Sequence, residues 1–197
     1  MKQWGDLVRR GLLLEYTTLA WNAVGTAVIV TAAIKSGSVA LAGFGLDSLI
    51  EIFASIIVVW QLNGTHERRE RAALRYIAGA FLALAVYVLV QSVYLLIIGV
   101  RPAPSTIGLF WLAFTVAAML LLAYGKHITG RQLRNPVLIT EAHVTLIDAY
   151  LAAAVLAGVC LNSAFGWWWA DPVSALVIVY YGLTEARAAW YRQKFSE

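Results

Sequence analysis

Six apolar stretches, each long enough to cross a lipid bilayer as a helix, dominate this sequence. They run over about residues 12–34, 38–62, 73–100, 105–124, 136–161 and 172–190. A membrane-spanning helix needs about 20 mostly apolar residues. The chain is 61% hydrophobic and 13% charged, whereas a soluble domain is about half apolar and a quarter charged. The sequence therefore predicts an all-α membrane protein with six transmembrane helices, folded as one domain over residues 1–197.

Residues that end or cap helices separate these stretches. Gly37 is placed to end the first helix and Ser38 to cap the second. Ser105 follows the helix-breaking segment "RPAP" and is expected to cap the fourth helix. Two further junctions pair a capping residue with a proline at the first helical position, Asn135 with Pro136 and Asp171 with Pro172.

Lysine and arginine are distributed unevenly between alternate connections. Thirteen lie in the two tails and the second and fourth connections, and only Lys35 and Arg101 lie on the other side. Such an excess marks the cytoplasmic side of a membrane, so both termini are predicted to be cytoplasmic and "GWWWADP" to lie at the outer face. The net charge of +4 does not indicate a nucleic-acid partner, because the basic residues alternate with apolar spans instead of forming one patch.

Three carboxylates are predicted to share one depth near the centre of the membrane. Asp47 and Glu51 are four residues apart and lie on one face of the second helix. Counting about 1.5 Å per residue from the cytoplasmic ends, Glu51 and Asp148 of the fifth helix are both about 17–18 Å deep. Clustered carboxylates repel one another unless a proton or a cation compensates their charge, so a divalent-cation site is predicted. The alternative is hydrogen bonding to polar neighbours such as Asn22, Ser48, Gln91 and Thr145.

Three other polar residues of these helices are weaker candidates for a functional role. Glu141 lies two turns before Asp148 on the same face, so it is a candidate for lining an inner access path or for pairing with an arginine. His143, five residues before Asp148, is a candidate extra ligand, although it points well away from that face. Glu15 is expected to meet water or an arginine near the inner interface.

These motifs resemble the cation diffusion facilitator family of divalent-metal exporters. In its second span the family carries an acid or histidine, then "SL", then an acid four residues after the first. Here this motif reads "DSLIE" after "GSVALAGFGL". It has a matching acid in the fifth span, here Asp148, and an aromatic-rich turn before the sixth, here "WWWADP". The family usually has another ligand four residues before the fifth-span acid, where this chain has Val144. The chain also ends soon after the sixth span, as in short members without the C-terminal cytoplasmic domain.

The resemblance implies a metal/proton antiporter exporting Zn²⁺, Mn²⁺ or a related ion, with no resident cofactor. It also implies a homodimer, for which the small residues of "GSVALAG" or the run at Gly43 and Gly45 are a candidate contact. The sequence carries no recognisable organelle address, so a multi-pass protein of the cytoplasmic membrane is the default expectation. The alternative is a non-transporting metal-binding scaffold that modulates a partner protein. A membrane enzyme is not expected, because no Ser/His/Asp set or histidine-rich metal motif is visible.

Overall fold

A computed structural model describes residues 2–62, 67–134 and 136–195. Within these ranges, the side chains of 2–4, 54–62, 67–74, 77, 136, 137, 140, 141, 189 and 192–195 are not described. No strand occurs in the described ranges, which form six helices: α1 (Lys2–Ser36), α2 (Val39–Leu62), α3 (Glu67–Ile98), α4 (Thr106–Leu133), α5 (Pro136–Phe165) and α6 (Ala170–Phe195). The predicted all-α class and the six helices are confirmed.

The helices pack around α2, which contacts α1, α3, α5 and α6. The most extensive pairings join α4 with α5 and α3 with α6, and α1 packs against both α2 and α4. Buried aliphatic side chains from all of these helices form one core, including Leu41, Val88, Leu112, Val155 and Ile178. The acid-bearing segments of α2 and α5 are therefore held next to each other inside the bundle.

Among the residues whose side chains are described, four helices are long and apolar enough to cross a membrane, over Gly5–Ser36, Ala78–Ile98, Thr106–Leu133 and Ala142–Phe165. Their outward faces carry large hydrophobic side chains, such as Ile34 and Ile97, each 79% exposed. A soluble surface would not present such a density of exposed apolar groups, whereas lipid covers them at little cost. The chain is thus a multi-pass helical membrane protein; spanning by α2 and α6 stays a prediction.

The predicted caps are present, with one reassignment. Gly37 has a φ of +67° directly after α1, and the hydroxyls of Ser38 and Ser105 accept hydrogen bonds from the amides of Leu41 and Gly108. Asp171 does not cap its own helix, because α6 already begins at Ala170. Its carboxylate instead accepts hydrogen bonds from the Ser38 hydroxyl and from the amides of Val39 and Ala40, at the start of α2. Asn135, the remaining predicted cap, lies outside the described residues.

Two further expectations are corrected by the packing. The fourth span was expected to end near residue 124, but α4 continues to Leu133 because "GKHITGRQL" contains no proline to stop it. The glycines expected at a dimer contact are used inside the chain instead. A Cβ at Gly43 would lie 3.0 Å from Ile178 Cδ1 and 3.1 Å from Val88 Cγ2, and one at Gly45 would lie 3.0 Å from Val30 Cγ2. These two positions therefore let α3, α6 and α1 approach α2.

Candidate metal centre

Asp47 and Glu51 project from α2 towards α5, as their spacing predicts. Asp47 lies eight residues and Glu51 twelve residues after Val39, the first residue of α2. Apolar and small neighbours surround them, including buried Phe44 and Ser48, whose hydroxyl donates to the Phe44 carbonyl and not to an acid. Asp47 is 2% exposed and Asp148 of α5 is 7% exposed, whereas Glu51 is half-buried.

The three carboxylates form one cluster. Each of Asp47, Glu51 and Asp148 offers an oxygen, and these three oxygens all lie within 4.8 Å of one another. The predicted convergence of α2 and α5 at one depth is therefore present. Around a tetrahedral cation with metal–oxygen distances of about 2.0–2.2 Å, ligand oxygens are about 3.3–3.6 Å apart. Small rotations of the side chains would close the cluster to that spacing.

Polar groups lie close together at the edge of the cluster. Asn22 Nδ2 of α1 donates to Glu51 Oε2 at 3.2 Å, which is one of the polar contacts proposed as an alternative to metal binding. Glu51 and Asp148 each offer an oxygen within 4.8 Å of the other, so a closer approach of the two side chains would let them share a hydrogen bond. Two carboxylates can do so only if one of them carries a proton. The same oxygens are thus arranged to hold either a proton or a cation.

Asp47 has an oxygen that these contacts do not satisfy. Its Oδ1 is buried and has no hydrogen-bond partner among the residues that the structure describes. A buried polar atom without a partner costs about 1–3 kcal/mol. The hydrogen bond from Asn22 therefore does not satisfy every buried carboxylate oxygen of the cluster. A cation between the carboxylates would interact with those that it leaves.

Of the two weaker site candidates, Glu141 and His143, only His143 has a described side chain, and it lies outside the cluster. His143 is exposed and its ring stacks against that of His127 on α4, with centroids 6.3 Å apart and planes 11° apart. This agrees with the direction expected from its position in the helix. The backbone of Glu141 belongs to α5, but its side chain lies outside the described residues. Val144, at the position where a fourth ligand was expected from the resemblance, is half-buried and supplies none.

A buried lysine close to the cluster was missed by the sequence reasoning. Lys126 had been counted as a cytoplasmic loop residue, yet its side chain is 1% exposed inside the extended α4. Its Nζ donates to Glu15 Oε2 at 2.9 Å and to Thr145 Oγ1 at 3.1 Å. The partner of Glu15 is therefore this lysine, where water or an arginine was expected, and the Thr145 hydroxyl accepts a hydrogen bond from the same lysine. The absence of a helix breaker after residue 124 could have revealed the extension.

A fourth acid, Glu185 of α6, was also missed. It is half-buried, and its charge acts on both Asp47 and the neighbouring Tyr181 hydroxyl. The segment "TEARAAWYRQK" had been considered only for its basic residues, which marked it as the cytoplasmic end of the chain. The packing of α6 against α2 brings this acid to the edge of the cluster.

The fold and site define a helical membrane protein with a buried carboxylate cluster, and two curated proteins resemble this chain in sequence. It is 27% identical to metal tolerance protein 4 of Oryza sativa subsp. japonica over 175 residues, which are 83% of this chain and 44% of that protein. It is 22% identical to transmembrane protein 163 of Xenopus laevis over 186 residues, which are 89% of this chain and 66% of that protein. The chain thus spans less than half of the first relative and about two thirds of the second. No protein-family model matches it.

Proposed function

We propose that this protein is a divalent-cation transporter that exchanges a metal ion such as Zn²⁺ or Mn²⁺ for protons at the Asp47, Glu51 and Asp148 cluster. The convergence of three carboxylate oxygens within 4.8 Å, from two helices, carries the proposal. The similarity to a metal tolerance protein over 83% of the chain supports it. All three ligands are carboxylate oxygens, which suit hard cations such as Mn²⁺ and are also accepted by Zn²⁺.

The exchange follows from competition for the same oxygens. With the cluster open to the cytoplasm, a cation binds and displaces protons from the carboxylates. Movement of the helices then exposes the cluster to the other side, where protons return to the carboxylates and release the cation. Binding and release are thus coupled to proton movement in opposite directions.

The proposed topology has six spans with both termini in the cytoplasm. Twelve lysines and arginines support this orientation, since Lys126 no longer counts among the thirteen loop residues. At the opposite end, the rings of Trp167 and Trp169 stack 5.5 Å apart and are exposed, as expected at a membrane–water interface. The family resemblance further suggests a homodimer, which would have to use a surface other than Gly43 and Gly45.

The decisive experiment is metal flux in proteoliposomes with an imposed pH gradient. Asp148→Asn keeps the shape of the side chain and removes one ligand charge, so Mn²⁺ or Zn²⁺ uptake and the accompanying proton release should be lost. The variant should remain folded, with a thermal unfolding temperature in metal-free buffer no lower than that of the unchanged protein. Its stabilisation by added metal should disappear.

A matched control changes an exposed aspartate in the same way. Asp6→Asn, near the start of α1, should leave both flux and metal-induced stabilisation unaltered. Undiminished transport by Asp148→Asn would exclude the proposal. Metal-induced stabilisation of the unchanged protein without any flux would instead favour the non-transporting metal-binding scaffold.

A further inference from the structure

The ammonium group of Lys126 is buried, and burying a charge costs free energy. This residue lies seven residues before the end of α4, about 10 Å along the helix, and its side chain is 1% exposed. An ammonium group so placed does not reach the interface in this structure. A buried ion pair is often no more stabilising than apolar residues of the same volume, so packing alone does not explain why this one is present.

The ion pair is oriented with respect to the carboxylate cluster. The Lys126 ammonium binds Thr145, which precedes Asp148 by three residues, or about one helical turn of α5. Its negative partner, Glu15, approaches the ammonium from α1, and the Glu15 side chain is 36% exposed. The positive end of the pair is therefore held about one helical turn from Asp148.

We propose that the Lys126–Glu15 ion pair is a positioning element that sets how tightly the cluster holds a divalent cation. This inference rests on the proposed cation site. A fixed positive charge repels a divalent cation, so it weakens binding at a cluster that already holds three carboxylates. A transporter has to release its ion, and the weakening serves that release.

Removing the positive or the negative partner should change the Mn²⁺ affinity in opposite directions, which a purely structural role would not produce. Lys126→Met removes a positive charge near the site, so Mn²⁺ should bind about tenfold more tightly. Glu15→Gln removes the negative partner and leaves the ammonium uncompensated, so Mn²⁺ should bind about tenfold more weakly. The double variant should lie within about threefold of the unchanged protein, and Lys126→Arg should do likewise because it keeps the charge.

The test is calorimetric titration of the full chain in detergent with Mn²⁺ at one fixed pH, with thermal unfolding as a check of folding. Arg131→Met is the matched control, since it removes an exposed positive charge from the same helix and should change the affinity less than about twofold. Weaker binding in both Lys126→Met and Glu15→Gln would overturn the inference, because it would indicate that the pair only maintains structure.

Two other outcomes are equally informative. If Lys126→Met does not fold, Glu15→Gln decides: about tenfold weaker binding supports the inference, and unchanged binding overturns it. If the unchanged protein binds neither Mn²⁺ nor Zn²⁺, the proposed cation site fails, and the inference fails with it. The inference alone fails if the unchanged protein binds metal and the variants do not change the affinity in opposite directions.

Discussion

Helices α5 and α6 approach closely at Gly158, and this contact gives a sharp prediction for Gly158→Ala. A Cβ at this position would lie 2.7 Å from Ser174 Cβ and 2.9 Å from the Ala170 carbonyl oxygen. Non-bonded carbon atoms normally approach to about 3.5–4.0 Å, so the helices would have to separate by about 1 Å. Overpacking of this kind typically costs about 1–3 kcal/mol of folding free energy.

Thermal unfolding in detergent, followed by tryptophan fluorescence, measures this cost. For a chain of this size each kcal/mol corresponds to about 2–4 °C, so the unfolding temperature of Gly158→Ala should fall by about 2–12 °C. Gly79→Ala is the control, since a Cβ there meets nothing within 4 Å and alanine favours a helix. Adding Ser174→Gly to Gly158→Ala should restore part of the loss. A Gly158→Ala protein as stable as the unchanged chain would refute the close contact.

Two further predictions concern the Asp171 cap of α2 and the proposed cation site. Asp171→Ala removes the acceptor of three hydrogen bonds at the start of α2. It should lower the free energy of unfolding, measured by chemical denaturation, by about 1–3 kcal/mol. An unchanged value would show that these bonds contribute nothing to stability. Apparent Mn²⁺ affinity should fall as the pH is lowered, by up to about tenfold per pH unit for each proton displaced, because protons compete for the same carboxylates. A pH-independent affinity in calorimetric titrations would contradict proton exchange at the cluster.

The sequence allowed the cluster to be predicted because its geometry follows from local rules. The spacing of Asp47 and Glu51 fixes their common face on α2, and counting residues from the helix ends fixes the depth of Asp148 on α5. Apolar length and helix-capping residues likewise located the six helices. None of these steps needs knowledge of which helix packs against which.

The features that were missed depend on packing between distant parts of the chain. Asp171 was expected to cap its own helix, but its carboxylate caps α2, more than 130 residues away in sequence. Lys126 follows the apolar core of α4 among polar residues, which made it look like a loop residue until the partners Glu15 and Thr145 were known. The sequence around Gly43 is equally compatible with a dimer contact, and only the structure shows that Val88 and Ile178 occupy the space beside this glycine.

The bond between Asp171 and the first turn of α2 also constrains any motion of the bundle. It joins the N-terminal ends of α2 and α6 through one side chain, and the two helices pack against each other beyond that point. While it holds, α2 and α6 cannot part at that end. Any rearrangement that opens the proposed cation site therefore has to move other helices around this fixed pair, or first break the three hydrogen bonds to Asp171.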